Sequence, residues 1–182
     1  MTTKAMVANQ KVNKKGYVYA EKRSNVCVQG RNANFSGKTL EKSIEEILVA
    51  KGAYPIKYSS WVNDKVSVPG WAKSVLYKQV NYTKPWGSNG YSDFVLETKN
   101  RSVRIDARYQ GVSGSVDEKA NFLFDTAERC YPEKEVIIVL DGPGVNPKIR
   151  TWLIDRATSV KHKTISIMTK AEFRNWVSTT NL

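Results

Sequence analysis

Ser92-Asp-Phe-Val-Leu-Glu97 and Val103-Arg-Ile-Asp-Ala-Arg-Tyr-Gln110 are the two stretches that decide the fold of this chain. Both are rich in the aromatic and β-branched residues that favour strands, and both are short enough for a single strand. The few polar residues between them predict a tight antiparallel hairpin whose bend is centred between Lys99 and Asn100.

Two aspartates of this hairpin are predicted to converge. With the bend at that position, Asp93 lies directly opposite Asp106, so both side chains leave the same face with Cβ atoms roughly 4.5–5.5 Å apart. Arg108, two residues further along, shares that face. Carboxylates this close repel unless a proton or cation lies between them, and Mg²⁺ (or Mn²⁺) prefers such oxygen ligands. An exposed hairpin with ordinary charged positions fits the same residues, because a shift of one residue would separate the carboxylates.

The segments around the hairpin predict an α/β protein. Apolar residues at helical spacing, or capping boxes, predict helices at about 36–51, 115–130, 147–157 and from 169 onward. Apolar runs of strand length predict further strands at 75–80, 135–141 and 164–168. Residues 53–75 are aromatic and irregular, and they predict a long loop or a pair of short edge segments. The order of these elements favours helices packed on a mixed central β-sheet.

The basic character of the chain favours nucleic acid as a partner. The 182 residues carry a formal net charge of +12, and 41% of them are hydrophobic, which is enough for one packed domain. Residues 1–35 hold seven basic residues and one acidic residue. We therefore expect residues 1–35 to form a basic arm, or an edge hairpin with strands near 16–20 and 26–28, ahead of a main domain at 36–182. The expected contacts to the DNA backbone are Lys14, Lys15, Arg23, Arg31 and Lys84.

The sequence has few cysteine and histidine residues that could bind zinc, form disulfides or act as catalysts. The two cysteines, Cys27 and Cys130, have no metal-binding spacing, and His162 is the sole histidine. These residues argue against a zinc site, a disulfide framework and histidine-based catalysis. Since no apolar run is long enough to cross a membrane and no signal peptide is visible, we expect a protein of the cytoplasm.

A known family shares the hairpin and the segment that follows it. The two strands, followed by Val112-Ser-Gly-Ser-Val-Asp-Glu-Lys119, resemble the core of the PD-(D/E)XK nuclease superfamily. More narrowly, they are similar to a phage and bacterial group in which an acidic-x-Lys-Trp-Gln motif precedes a Ser-Gly-Ser-Val-Asp-Glu-Lys segment. The resemblance covers roughly residues 30–178. It implies a restriction-endonuclease-like core, a mixed central sheet flanked by helices, and metal-dependent cleavage of DNA.

The resemblance also implies a set of metal ligands. By position, Asp93 matches the first metal carboxylate of the family and Asp106 the second. Glu45, on the polar face of the first predicted helix, matches the helix glutamate that many members direct at the metal. Glu41 or Glu46, on the same helix, can take that place instead.

The chain departs from the family motif at one catalytic position. Arg108 stands where the family has lysine, and an arginine cannot act as a base because its pKa exceeds about 12. Lys119, in the following helix, is a candidate for a lysine that has migrated. Gln110 matches a glutamine that follows the motif strand in several subfamilies.

Three functions are compatible with the sequence. The first is a Mg²⁺-dependent endonuclease acting on double-stranded DNA, of the homing, restriction or junction-cleaving type, working as a homodimer or higher oligomer in the cytoplasm (of the host, if phage-encoded). The second is a catalytically impaired nuclease fold that only binds DNA, as a replication or counter-defence factor. The third is an RNA-binding domain that stacks bases on exposed aromatic residues, with Tyr54, Tyr58, Trp61, Trp71 and Trp86 as candidates.

Overall fold

The computed structural model describes the backbone of residues 10–12, 18–20, 25–64, 66–111 and 116–181. Side chains are described from residue 37 onward, apart from residues 65, 112–118 and 182. The chain divides into two units between Asn32 and Ala33. In the first unit, strands β1 (Gln10–Val12) and β2 (Val18–Ala20) form an antiparallel pair. The predicted boundary after residue 35 stays a prediction.

From the predicted strand at 75–80 onward, the helices and strands follow the predicted order. The remaining elements are α1 (Asn25–Ala50), β3 (Ala53–Lys57), α2 (Tyr58–Asp64), β4 (Ser74–Thr83), β5 (Asn89–Glu97), β6 (Ser102–Tyr109), α3 (Val116–Arg129), β7 (Glu135–Asp141), α4 (Pro147–Ser159), β8 (Thr164–Met168) and α5 (Lys170–Thr179). The bounds of β7 and β8 are those predicted. The capping box of Thr169 and Glu172 is present at the start of α5. The one predicted at Ser115 lies outside the described residues.

Two predictions of local structure were wrong. Residues 26–28 have β-branched character, but they lie inside α1, which begins at Asn25 rather than near Ser36. Strand propensity is weak without a partner strand to pack against, so helix context overrides it. Residues 53–64 form β3 and α2, so the long loop is wrong there, whereas the alternative of a short edge segment is correct for Ala53–Lys57. Pro55 is tolerated in β3 because this strand is the edge of its sheet.

A mixed six-stranded sheet organises the second unit, in the order β3-β4-β5-β6-β7-β8. The β4-β5 and β5-β6 pairs are antiparallel, whereas β3-β4, β6-β7 and β7-β8 are parallel. The predicted mixed sheet flanked by helices is therefore confirmed.

Helices cover both faces of this sheet. On one face, Ile44 of α1 and Phe173 of α5 pack with Ile105 of β6. On the other, Phe124 of α3 and Leu153 of α4 pack on β7 and β8. Alternate residues of β6 thus enter different layers, which sends Arg104, Asp106 and Arg108 away from Ile105 and its neighbours. Within the part of the chain that the structure describes, no helix has the length and apolar character to cross a membrane.

Candidate active site

The hairpin of β5 and β6 brings Asp93 and Asp106 together. Phe94 pairs with Ile105, so the predicted register of the hairpin is confirmed. At the next step the two aspartates bond to each other's strands. The amide of Asp93 donates to Oδ1 of Asp106 at 3.3 Å, and the amide of Ala107 donates to Oδ2 of Asp93 at 2.7 Å. Side-chain oxygens thus take the place of backbone carbonyls where the ladder ends.

The backbone around Asp93 departs from regular strand geometry. Gln79, which would pair with Asp93, has a left-handed φ of 55°, and the pairing of β4 with β5 skips this position. On one side of this position, Lys78 of β4 contacts Glu45 of α1. On the other side, Ser92 of β5 contacts Arg104 on the opposite face of the sheet. The alternation of faces therefore changes at Gln79 and Asp93, with one residue of each strand at the break. Such strained positions concentrate at functional sites.

Arg108 bridges the two carboxylates. Its Nη1 lies 3.2 Å from Oδ2 of Asp93, and its Nη2 lies 3.6 Å from Oδ1 of Asp106. Burial raises the pKa of Asp93 to about 7, and the charge of Asp106 adds to this, while Arg108 opposes it. For Arg108, burial lowers the pKa, but Asp106 and Asp93 together outweigh that effect and leave it raised. The side chain of Arg108 is nevertheless 45% exposed, so a substrate can reach it.

Buried polar groups hold Asp106 in place. Asp106 is fully buried, and the hydroxyl of Tyr131 donates to its Oδ2. The guanidinium of Arg104, which is 2% exposed, lies 4.7 Å from the centre of the Tyr131 ring. Arg104 makes a bidentate ion pair with Glu133, at 2.5 and 2.8 Å, and donates to Oγ of Ser92 at 2.7 Å.

This supporting network is almost invisible in the sequence. The one available signal was Arg104 itself, a charged residue two positions before Asp106 in an otherwise apolar strand, and so on the same face. Because a buried arginine requires a carboxylate partner, that position predicts one. Tyr131 and Glu133 carried no sequence signal of their own.

Two glutamates of α1 face the site in different ways. Glu41, Glu45 and Asp93 line one cavity of about 450 Å³. The Oε1 of Glu45 lies 2.7 Å from Nζ of Lys78 in an ion pair. Burial raises the pKa of Glu41. The positive charge of Arg108 lowers this pKa in part, and the negative charge of Asp106 raises it further. Glu41 is thus electrostatically linked to the aspartate pair, whereas Glu45 is held by Lys78.

Lys119 lies close to the other side of the pair. It lines a cavity of about 360 Å³ together with Arg108, Tyr131, Tyr82 and Phe122. The backbone of Gln110 instead contacts the turn after β7. Its carbonyl accepts from Gly144, and a Cβ on Gly142 would lie 2.3 Å from that carbonyl oxygen.

Of the expected DNA contacts, the structure describes the side chain of Lys84 alone. Lys84 lies in the β4-β5 connection, with Nζ 5.7 Å from the ring centre of Trp86. Lys14, Lys15 and Arg23 lie outside the described residues. Arg31 is within α1, but its side chain is not described.

The donor set at Asp93 and Asp106 fits a small divalent cation. The described residues include no group of three or more histidine, cysteine or acidic side chains suited to a metal ion. Mg²⁺ needs no such group, because one or two carboxylates suffice when water and substrate phosphate complete its shell. Burial, followed by the charge of Asp106, raises the pKa of Asp93, and a cation bound there would favour the charged form of this carboxylate.

Comparison with known proteins agrees with this geometry. A search of the curated proteins gives no match. The model of the PD-(D/E)XK nuclease superfamily domain matches residues 32–181 and so takes in the whole six-stranded sheet, the acidic hairpin and the residues that support it. The chain belongs to the PD-(D/E)XK nuclease superfamily and has its restriction-endonuclease-like fold.

Proposed function

We propose that this protein is a Mg²⁺- or Mn²⁺-dependent endonuclease that hydrolyses phosphodiester bonds of double-stranded DNA. The observation that carries the proposal is the convergence of Asp93 and Asp106 under a partly exposed Arg108. The net charge of +12 suits a polyanionic substrate.

Each residue of the cluster has a separate task in this proposal. Asp93 and Asp106 would hold the ion, which supplies Lewis-acid activation of water and neutralises charge on the phosphate when bound. Arg108 turns from the carboxylates to a phosphate oxygen and stabilises the charge that develops there. Tyr131 fixes the orientation of Asp106.

Two further roles, a helix carboxylate and a general base, are proposed for side chains that line the two cavities beside the aspartates. Glu41 or Glu45 helps to hold the ion or its water from the cavity that they share with Asp93. Since Arg108 cannot accept a proton, Lys119 is the side chain placed to act as the base or to hold the phosphate from the other cavity. Gln110 serves to fix the end of β6.

A specific observation favours a second function, a DNA-binding protein that has lost hydrolysis. Arg108 occupies the position of the family lysine and already forms ion pairs with both aspartates. Replacement of Arg108 by lysine separates the two functions. If Arg108 acts only through its charge, Arg108→Lys retains cleavage and Arg108→Gln loses about 100-fold or more. If the arginine has abolished hydrolysis, Arg108→Lys cleaves DNA and the natural protein does not.

Plasmid cleavage tests the proposal directly. Supercoiled DNA is incubated with the protein in Mg²⁺, Mn²⁺ or EDTA, and nicked and linear products are measured. We expect cleavage with either ion, none with EDTA, and none with Asp106→Asn. Asp155→Asn, an exposed aspartate of α4, is the matched control and should cleave normally. Absence of cleavage with every ion, beside tight duplex binding, would support the second function.

The remaining features of the proposal concern DNA contacts and assembly. Basic residues of segment 1–35, with Lys84, hold the DNA backbone, so charge reversal at Lys14, Lys15, Arg23, Arg31 or Lys84 should weaken binding to all sequences and flatten its salt dependence. Cleavage of both strands calls for two active sites, for which a homodimer or higher oligomer in the cytoplasm is the simplest arrangement. Sedimentation of the protein with and without DNA measures that assembly.

A further inference from the structure

Two exposed aromatic side chains form a pair beside the candidate active site. Trp86, in the β4-β5 connection, is 64% exposed, and Phe122, on α3, is 50% exposed. Their ring centres lie 6.3 Å apart at an interplanar angle of 31°. Large apolar side chains gain little by remaining in water, so an exposed pair of this kind suggests a binding surface.

This aromatic pair adjoins the groups that contact the two aspartates. Phe122 lines the cavity of about 360 Å³ whose wall also contains Arg108, Lys119 and Tyr131. Arg108 contacts both carboxylates and Tyr131 donates to Asp106. The surface therefore runs from the aromatic rings to Arg108, whose guanidinium would hold a phosphate at the site.

The charges around the rings are positive. Nζ of Lys84 lies 5.7 Å from the centre of the Trp86 ring, and exposed Lys119 shares the cavity wall with Arg108. Aromatic faces next to cations are the pattern by which proteins hold unpaired nucleotides, because the base stacks on the ring and the backbone meets the charge. The bases of an intact duplex are stacked on each other and cannot use such a surface.

We propose that Trp86 and Phe122 stack an unpaired base of the strand whose phosphate lies at Arg108. Among double-stranded DNAs, the preferred substrate is then one with a single-stranded segment next to the duplex, such as a fork or flap, and plain duplex is bound less tightly. This inference rests on the proposed nuclease function and narrows its substrate class. In the competing explanation, the two rings only pack the β4-β5 connection against α3.

Equilibrium binding in EDTA tests the inference without cleavage. The fluorescence anisotropy of two labelled DNAs is measured: a plain duplex, and a fork with the same duplex and two unpaired arms. We expect the natural protein to bind the fork at least tenfold more tightly. Trp86→Ala and Phe122→Ala should each remove roughly tenfold to 100-fold of fork affinity and leave duplex affinity within about twofold. Trp86→Phe, which keeps an aromatic face, should retain most of the preference.

A matched control separates stacking from a general effect of losing tryptophan. Trp152, on α4, is 46% exposed and lies 5.6 Å from the guanidinium of Arg156, but it lines a different cavity. Trp152→Ala should leave both affinities unchanged. Melting temperatures of all variants show whether they fold.

The possible results distinguish this inference from the proposed function. Equal binding of fork and duplex, together with metal-dependent cleavage of duplex, overturns the inference and leaves the nuclease intact. Equal loss of fork and duplex affinity in folded Trp86→Ala also overturns it. If neither DNA is bound, both proposals fail.

Discussion

The hydroxyl of Tyr131 donates a hydrogen bond to Oδ2 of Asp106, an aspartate without solvent exposure. Groups that orient a metal-binding carboxylate commonly change metal affinity 10-fold to 100-fold when they are removed. We therefore expect Tyr131→Phe to raise the Mn²⁺ concentration for half-maximal cleavage by roughly tenfold or more. Tyr82→Phe is the control, since its ring packs edge-on against Tyr131 at 4.9 Å. An unchanged Mn²⁺ dependence would show that Tyr131 does not position Asp106.

The raised pKa of Asp93 should appear in the pH dependence of stability. Burial, with Asp106, raises the pKa of Asp93 from 3.8 to about 7, so the folded protein keeps a proton that the unfolded chain releases. Stability is thus fully present below the unfolded pKa and is lost as pH rises through about 7. Asp93→Asn removes this loss, and we expect it to stabilise the protein by roughly 1–3 kcal/mol near neutral pH but not near pH 4.

Urea unfolding at a series of pH values measures this effect. Asp155→Asn, on the exposed side of α4, should show no such difference between acid and neutral pH. Addition of Mn²⁺ at neutral pH should stabilise the natural protein and leave Asp93→Asn unchanged, because ligands that bind only the folded state raise its stability. A pH-independent effect of Asp93→Asn would contradict the raised pKa of Asp93.

The buried ion pair of Arg104 and Glu133 should be costly to break on one side. Arg104→Met leaves Glu133 without its bidentate partner, and we expect a loss of about 3–5 kcal/mol in the free energy of unfolding. The double variant Arg104→Met, Glu133→Leu removes both charges and should recover part of that loss. Urea titrations of the three proteins measure it. A double variant as unstable as the single one would show that other partners of Arg104, such as Ser92, account for the loss.

Two glutamates on α1 give a matched pair for the metal site. Glu41 is coupled electrostatically to Arg108 and Asp106, whereas Glu45 is neutralised by Lys78. We expect Glu41→Gln to lower the cleavage rate by roughly tenfold or more, and Glu45→Gln to have a smaller effect. Initial rates at saturating Mn²⁺ measure both. The reverse order would assign the helix carboxylate to Glu45, as the family resemblance implies.

Much of the fold could be predicted because local patterns and global packing agree. Residues 136–140 of β7 are all apolar, since helices cover this strand on both sides, and the hairpin register follows from its short turn. The sequence left β3 open between a loop and an edge segment, and the start of α1 was missed because local propensity is weak. Where tertiary packing decides between loop, strand and helix, a single sequence does not reveal the outcome.

The candidate site was predictable in its center but not in its surroundings. The hairpin register predicts that Asp93, Asp106 and Arg108 share one face, and the family resemblance implies their roles at a metal ion. The contribution of Tyr131 depends on the path of the chain after α3, which no periodicity specifies. The change of faces at Gln79 is also invisible in the sequence, because nothing marks a non-glycine residue that adopts a left-handed backbone.

The network around Arg104 has a consequence for protein synthesis. Arg104 and Asp106 leave the ribosome before Tyr131 and Glu133. Tyr131 orients Asp106, and Glu133 neutralises the buried guanidinium of Arg104. A nascent chain that ends before residue 131 cannot bury Arg104 without an unpaired charge, so its hairpin cannot dock in the final arrangement. The arrangement around Asp106 is therefore completed late in translation, after the loop that follows α3 has emerged.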